Sequence, residues 1–266
     1  MEIRSRLFNA TTALILSLTL GLTGCGADHK ELVVGCMKGP EAELVQTAKV
    51  IAEKDHGLKV RVVEYTSYDQ PNAALANKEI DLNLFQHQSF LSRDMKEHNY
   101  DLTVIGKTFL YPMGLYSQKI QTLSQLPQKG RIGIPNDPTN TDRAIKLLAN
   151  NGLITVPQTT ELLTPAMVIT NTRELQIVPV EASKLPSLLS EFDAACINTT
   201  FAAEAKLDLN NALARESKEA PYVNLVVSRT EDKADPRFDV FVKSFQNPKV
   251  VEKAGELFHD FAIAGW

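Results

Sequence analysis

From Leu32 onward, short apolar runs alternate with longer stretches in which apolar residues return every three or four positions. Residues 32–35, 59–64 and 82–85 read as strands, and residues 41–54, 71–77 and 90–98 as helices. This βαβ rhythm predicts a mainly parallel sheet with helices on its faces. A second set follows, with strands at 131–134, 176–179 and Ala194–Ile197, helices at 139–150 and 184–190, a loop-rich stretch at 152–165 and a short helix near Phe201. Residues 103–116 and 222–228 are extended and apolar, are flanked by Pro112 and Pro221, and predict two crossover strands between lobes. The expected fold class is therefore α/β with two lobes. The first spans 32–111 and 223–266, the second 112–222, and a C-terminal helix at 248–261 returns to the first lobe. Open α/β sheets expose backbone and helix termini at the carboxyl ends of their strands, so a ligand cleft is expected between the lobes.

The start of the chain changes the compartment. Arg4 and Arg6 precede a mostly apolar run at 7–22 that is too short and too interrupted by Thr and Ser for a membrane span, and it reads as a signal peptide over residues 1–24. The run ends in Leu22-Thr23-Gly24-Cys25, which resembles the bacterial lipobox; Cys25 would then be the lipidated first residue, with 25–31 as a tether to the membrane. Loss of Arg4, Arg6 and Glu2 with the leader takes the formal charge from −4 to −5, and nothing in that balance suggests nucleic acid. Cys36 and Cys196 remain, either as one disulfide or as two buried thiols.

The segment Ile134-Pro135-Asn136-Asp137-Pro138-Thr139-Asn140-Thr141-Asp142-Arg143 ends a strand and starts a helix. Asn136, Asp137, Thr139 and Asn140 are candidate caps, and the helix start plus Arg143 one turn in makes an expected seat for a small anion, with the guanidinium pairing two-pronged with a carboxylate. A capped surface helix with a solvated arginine fits the same spacing. Other strand ends carry Tyr68, Phe85, His87, Phe90, Asn198 and Asn224. Arginine holds a carboxylate, asparagine oxygens accept from an ammonium, and aromatic rings with an imidazole wall a linear side chain in which a thioether packs well. That set suits a free amino acid better than a sugar. The aromatic residues also fit core packing, and the asparagines also fit strand-end caps. The remaining histidines are scattered, so no metal is expected. A hydrolase built on Cys36 or Cys196 with His87 lacks a third orienting group, and the chain is not expected to be an enzyme.

Five segments in order carry a resemblance: 65–72 (Tyr-Thr-Ser-Tyr-Asp-Gln-Pro-Asn), 85–87 (Phe-Gln-His), 134–140, 195–200 (Ala-Cys-Ile-Asn-Thr-Thr) and 217–224 (Ser-Lys-Glu-Ala-Pro-Tyr-Val-Asn), with a terminal Gly265-Trp266. Behind a lipobox, this series resembles the MetQ/NlpA family of methionine-binding lipoproteins. The resemblance implies a type II periplasmic binding protein fold, no cofactor, and a lipid-anchored receptor in the bacterial envelope facing the periplasm. It implies capture of L-methionine and delivery to the permease and ATPase subunits of an ABC importer. By position, Arg143 would hold the ligand carboxylate, and Asn198 and Asn224 would bond its amino and carboxylate groups. Tyr68, Phe85, His87 and Phe90 would enclose the side chain, and Asn140 is a further expected ligand-binding residue. Phe90 and Phe201 stand where relatives commonly have tyrosine, and Cys36-Met37-Lys38-Gly39-Pro40 departs from the usual small residues; these bear on side-chain preference. Another small amino acid, a methionine-containing dipeptide, or a surface lipoprotein with an adhesin role are the alternatives. Arg143→Ala is expected to abolish binding and leave folding intact.

Overall fold

The structure, a computed structural model, describes residues 31–266, so the leader, Cys25 and nearly all of the tether lie outside the described residues. The first lobe is built from β1 (Leu32–Met37), α1 (Pro40–His56), β2 (Val60–Tyr65), α2 (Pro71–Ala76), β3 (Leu82–His87), α3 (Gln88–His98) and β4 (Leu102–Leu110). The second holds β5 (Gly114–Tyr116), β6 (Arg131–Pro135), α4 (Pro138–Asn150), β7 (Gln176–Val180), β8 (Ala194–Ile197), α5 (Thr199–Glu204) and β9 (Ala214–Arg215). The chain returns through β10 (Val223–Arg229) and ends in α6 (Pro236–Phe245), α7 (Pro248–Phe258) and β11 (Ile263–Ala264).

Strand order is β11-β4-β10-β3-β1-β2 in the first sheet and β7-β6-β8-β5-β9 in the second. Parallel pairing is confined to β2-β1-β3 and β7-β6-β8; β10, β11, β5 and β9 pair antiparallel. The expected mainly parallel sheet is thus corrected to two mixed sheets. The reason is topological: a strand that leaves for the other lobe and one that comes back run in opposite directions, and β4 and β10 lie side by side. The first crossover is also not one strand. Residues 111–113 break it, leaving β4 in the first sheet and β5 in the second. Residues 111–113 and 216–222 lie between strands of the first sheet and strands of the second.

Local sequence explains the elements that aim at the cleft. α1 opens on Pro40, whose missing N–H costs nothing in a first turn, buries Leu44, Val45, Ala48, Ile51 and Ala52 as a stripe, and stops at Gly57 in the left-handed conformation. α6, which the strand and helix pattern did not predict, has Asp235 as its cap, Pro236 at its start, and Phe238, Phe241 and Phe245 at helical spacing, all buried. Residues 184–190, expected as a helix, instead contain Pro186 between two single 3₁₀ turns, Ala182–Lys184 and Leu189–Glu191; the proline ring blocks a continuous α-helical ladder. The last helix ends at Phe258, short of the expected 261, and a 3₁₀ turn follows.

Gly39 connects β1 to α1 with φ 92° and ψ −144°, a region essentially closed to residues with a Cβ. A Cβ there would also lie 3.1 Å from Cβ of Glu204 in the opposite lobe. Gly39→Ala is expected to lower stability by about 1–3 kcal/mol, read as a shift in the urea midpoint with an unchanged slope.

Candidate functional site

The loop before α2 delivers Tyr68, the end of β3 delivers Phe85 and His87, and the first turn of α3 delivers Phe90. Phe85 and His87 are two apart on one strand and so share a face. The rings form a box: Tyr68 to Phe85 is 5.9 Å, Phe85 to Phe90 5.6 Å edge to face, and Tyr68 to Phe90 6.0 Å. Phe201 of α5 meets Tyr68 across the cleft at 4.8 Å. Behind the box, a buried amide network fixes α2, β3 and α3 to one another. Gln86 and Asn72 exchange hydrogen bonds at 2.8 and 2.6 Å, and Asn72 also bonds Asn83 and Asp94.

The polar end is set by Asp137. Its carboxylate accepts the backbone N–H of Asn140 at 2.9 Å, capping α4, and accepts Asn140 Nδ2 at 2.9 Å. The expected anion seat at this helix start is therefore corrected: the chain's own carboxylate fills it. Asn140 is held with its amide oxygen inward, where it accepts from Asn198 Nδ2 at 2.8 Å and Arg143 Nη1 at 3.4 Å. Arg143 is buried rather than solvated, and its fork is taken. Nε and Nη2 pair two-pronged with Glu216 at 3.0 and 2.6 Å, and Nη2 also donates to the Tyr111 carbonyl at 3.2 Å. Tyr222 covers the guanidinium at 4.2 Å. What Arg143 offers a ligand is Nη1 alone, so the expected two-pronged grip on a ligand carboxylate is corrected to a single edge.

The unpaired atoms give the site its polarity. His87 Nδ1 accepts the Phe90 N–H at 3.4 Å, which assigns the ring proton to Nε2, an atom that is buried with no hydrogen-bond partner. Burial first, and then the Arg143 charge, push the imidazole pKa down to about 3 against an opposing pull from Asn140, so the ring is neutral. Asn198 gives its Nδ2 to Asn140 and leaves a buried, unpartnered Oδ1. Asn224 gives its Nδ2 to Glu41 at 3.4 Å and leaves its own oxygen. Donors therefore gather at Arg143 and His87, and acceptors at Asn198 and Asn224.

All eight expected ligand residues, Tyr68, Phe85, His87, Phe90, Asn140, Arg143, Asn198 and Asn224, line one narrow cavity, about 340 Å³ when counted out to solvent, joined by Gln86, Tyr111, Thr199 and Thr200. Tyr111, Glu216 and Glu41 were not foreseen. Glu216 directly precedes the 217–224 segment, yet its role depends on a partner 73 positions away. Cys36 and Cys196 are free, buried, and in different sheets; burial pushes both thiols up, the reverse of nucleophile activation.

A family model described as NlpA lipoprotein matches residues 32–266. Escherichia coli (strain K12) has a protein named D-methionine-binding lipoprotein MetQ that is 37% identical over 273 residues, covering all of both chains. A solved ABC transporter periplasmic substrate-binding protein from Coxiella burnetii superposes with TM-score 0.86 at 39% identity, over 88% of this chain and 100% of that one. A nutrient binding protein from Burkholderia cenocepacia, solved bound to methionine, gives TM-score 0.86 at 37% identity, over 88% of this chain and 100% of that one.

The Glu216 pairing alters the outcome expected for Arg143→Ala. With both side chains at most 8% exposed, removing the arginine leaves a buried carboxylate alone, and a loss of about 3–5 kcal/mol is expected by chemical denaturation. The double variant Arg143→Met with Glu216→Leu is expected to recover most of that loss.

Proposed function

The chain belongs to the NlpA lipoprotein family, and on that premise we propose that it is a receptor, not an enzyme, that captures methionine between its lobes. The observation that carries this reading is the sorting of polar atoms that are left unpaired or held by one long hydrogen bond. Arg143 Nη1 and His87 Nε2 suit a carboxylate, the oxygens of Asn198 and Asn224 suit an ammonium, and the box of Tyr68, Phe85 and Phe90 suits an unbranched thioether. The names of the Escherichia coli relative and of the Burkholderia cenocepacia structure support the choice of methionine. We assign the L-isomer as the physiological ligand, and the D-methionine in the Escherichia coli relative's name makes both enantiomers the first ligands to compare.

Tyr68, Phe85, His87, Phe90 and Asn224 come from the first lobe, and Asn140, Arg143 and Asn198 from the second. A ligand that touches both sets favours the closed arrangement by its differential affinity for it. In this reading Cys25 carries lipid and holds the receptor at a membrane on the periplasmic side, and the closed form hands its cargo to the permease and ATPase subunits of an ABC importer. The Coxiella burnetii neighbour's description as an ABC transporter component supports that partner. A methionine-containing dipeptide is the second reading. It is favoured by a larger space of about 940 Å³, counted out to solvent, that begins on the far side of Tyr68 and Phe90.

The test is calorimetric titration of protein starting at Gly26, unfolded and refolded to strip bound ligand, against L-methionine, D-methionine, L-leucine and glycyl-methionine. Methionine is expected to bind at least tenfold tighter than leucine, the scale of discrimination that apolar shape alone provides. Absence of binding by any of the four contradicts the proposal.

A further inference from the structure

Glu41 is a buried carboxyl that pairs with no cation among the described residues. It lies in the first turn of α1 at 5% exposure, and its Oε2 finds no hydrogen-bond partner. Its Oε1 accepts from Asn224, a cavity residue, and the side chain of Thr200, also a cavity residue, lies against it from the opposite lobe. The other buried carboxylates behave differently: Glu216 has Arg143 and Asp142 has Lys146. An ionised carboxylate this deep costs several kcal/mol unless a cation or a proton joins it.

We propose that Glu41 is the counter-charge for the ligand's ammonium, acting from behind Asn224, and that it gives up its proton to solvent when the ligand enters. The inference rests on the amino-acid reading of the cavity and adds a positioning residue to it. Without ligand, Glu41 keeps its proton and stays neutral. With ligand, a fixed positive charge at the Asn198 and Asn224 oxygens favours the carboxylate, and the helix start that carries Glu41 favours it too. The proton leaves as the ammonium arrives, so the ammonium end of the site gains no net charge, while the ligand's own carboxylate lies at the Arg143 and His87 end.

The surroundings support a single titrating group. Burial drives Glu41 up to about 8, with Thr200 and Asn224 pulling the other way. Its ionisable neighbours Cys36 on β1, Tyr68 before α2 and Tyr111 after β4 are all pushed up by burial and stay neutral at neutral pH. Lys38, next to α1, pairs with Glu204 of α5. On β2, Arg61 pairs with Glu31, and Glu64 is exposed. On α7, Lys253 pairs with Glu43 and Glu256; on α6, Arg237 pairs with Asp235. The other charges of these two helices, Asp239, Lys243, Lys249 and Glu252, are exposed. His87, neutral down to about 3, contributes no proton near pH 7.

The sign follows from the raised value. Between its ordinary range and about 8, the free protein holds a proton that the complex does not, so affinity rises with pH across that window and levels off above it. The experiment is calorimetric titration of the full chain in detergent with L-methionine at pH 7, in phosphate, imidazole and Tris, whose ionisation enthalpies differ. The slope of observed enthalpy against ionisation enthalpy counts protons. We expect release of more than half a proton per ligand, an affinity that strengthens several-fold from pH 6 to pH 7.5, and loss of both effects in Glu41→Gln. Binding by the wild type with no proton release overturns the role of Glu41 and leaves the cavity reading standing. Absence of binding overturns both.

Discussion

The buried ion pair between Arg143 and Glu216 holds the two connections between the lobes to one helix. Arg143 projects from α4, donates to the Tyr111 carbonyl in the outgoing connection, and grips Glu216 in the returning one. Glu216 closes the arrangement by accepting the Met113 N–H at 2.8 Å while its own N–H donates to the Met113 carbonyl at 2.9 Å. Two desolvated charges are stable here because nearly every donor and acceptor is used. The consequence for binding is geometric: the guanidinium cannot swing, and one nitrogen edge is presented at a fixed place in the cleft.

That fixed edge orders what lies around it. Asp137 spends its carboxylate on the cap of α4 and on Asn140, Asn140 turns its oxygen toward Arg143 and Asn198, and Asn198 is left with an oxygen to offer. On the first lobe, the α3 cap uses His87 Nδ1, so the imidazole presents an N–H. Helix capping, an ordinary local device, thus decides which atoms of two cleft residues remain unpaired. A cavity with donors at one side, acceptors at another and aromatic rings between them is complementary to a zwitterion with an apolar tail.

Much of this was legible in the sequence because it is local. Phe85 and His87 end a strand and share a face by simple alternation, Asp137 and Pro138 announce a helix start, and the apolar period of α1 marks its buried side. What was not legible depends on distant partners. Nothing near Arg143 says that its fork belongs to Glu216, 73 residues on, and nothing near Glu41 says that Asn224, 183 residues on, will share its hydrogen bond. The same limit explains the sheets: alternating elements suggest parallel strands, whereas the antiparallel placement of β10 between β3 and β4 follows from the chain returning from the other lobe. Residues 184–190 failed for a local reason, since Pro186 outweighed an otherwise helical pattern.

The central claim is that the cavity sorts the two charged ends of an amino acid, and a crystal structure of the protein with L-methionine tests it most directly. The account predicts the carboxylate within hydrogen-bond reach of Arg143 Nη1 and His87 Nε2, the ammonium on the oxygens of Asn198 and Asn224, and the thioether among Tyr68, Phe85 and Phe90. A ligand bound in the reverse orientation, or seated outside this cavity, would contradict it.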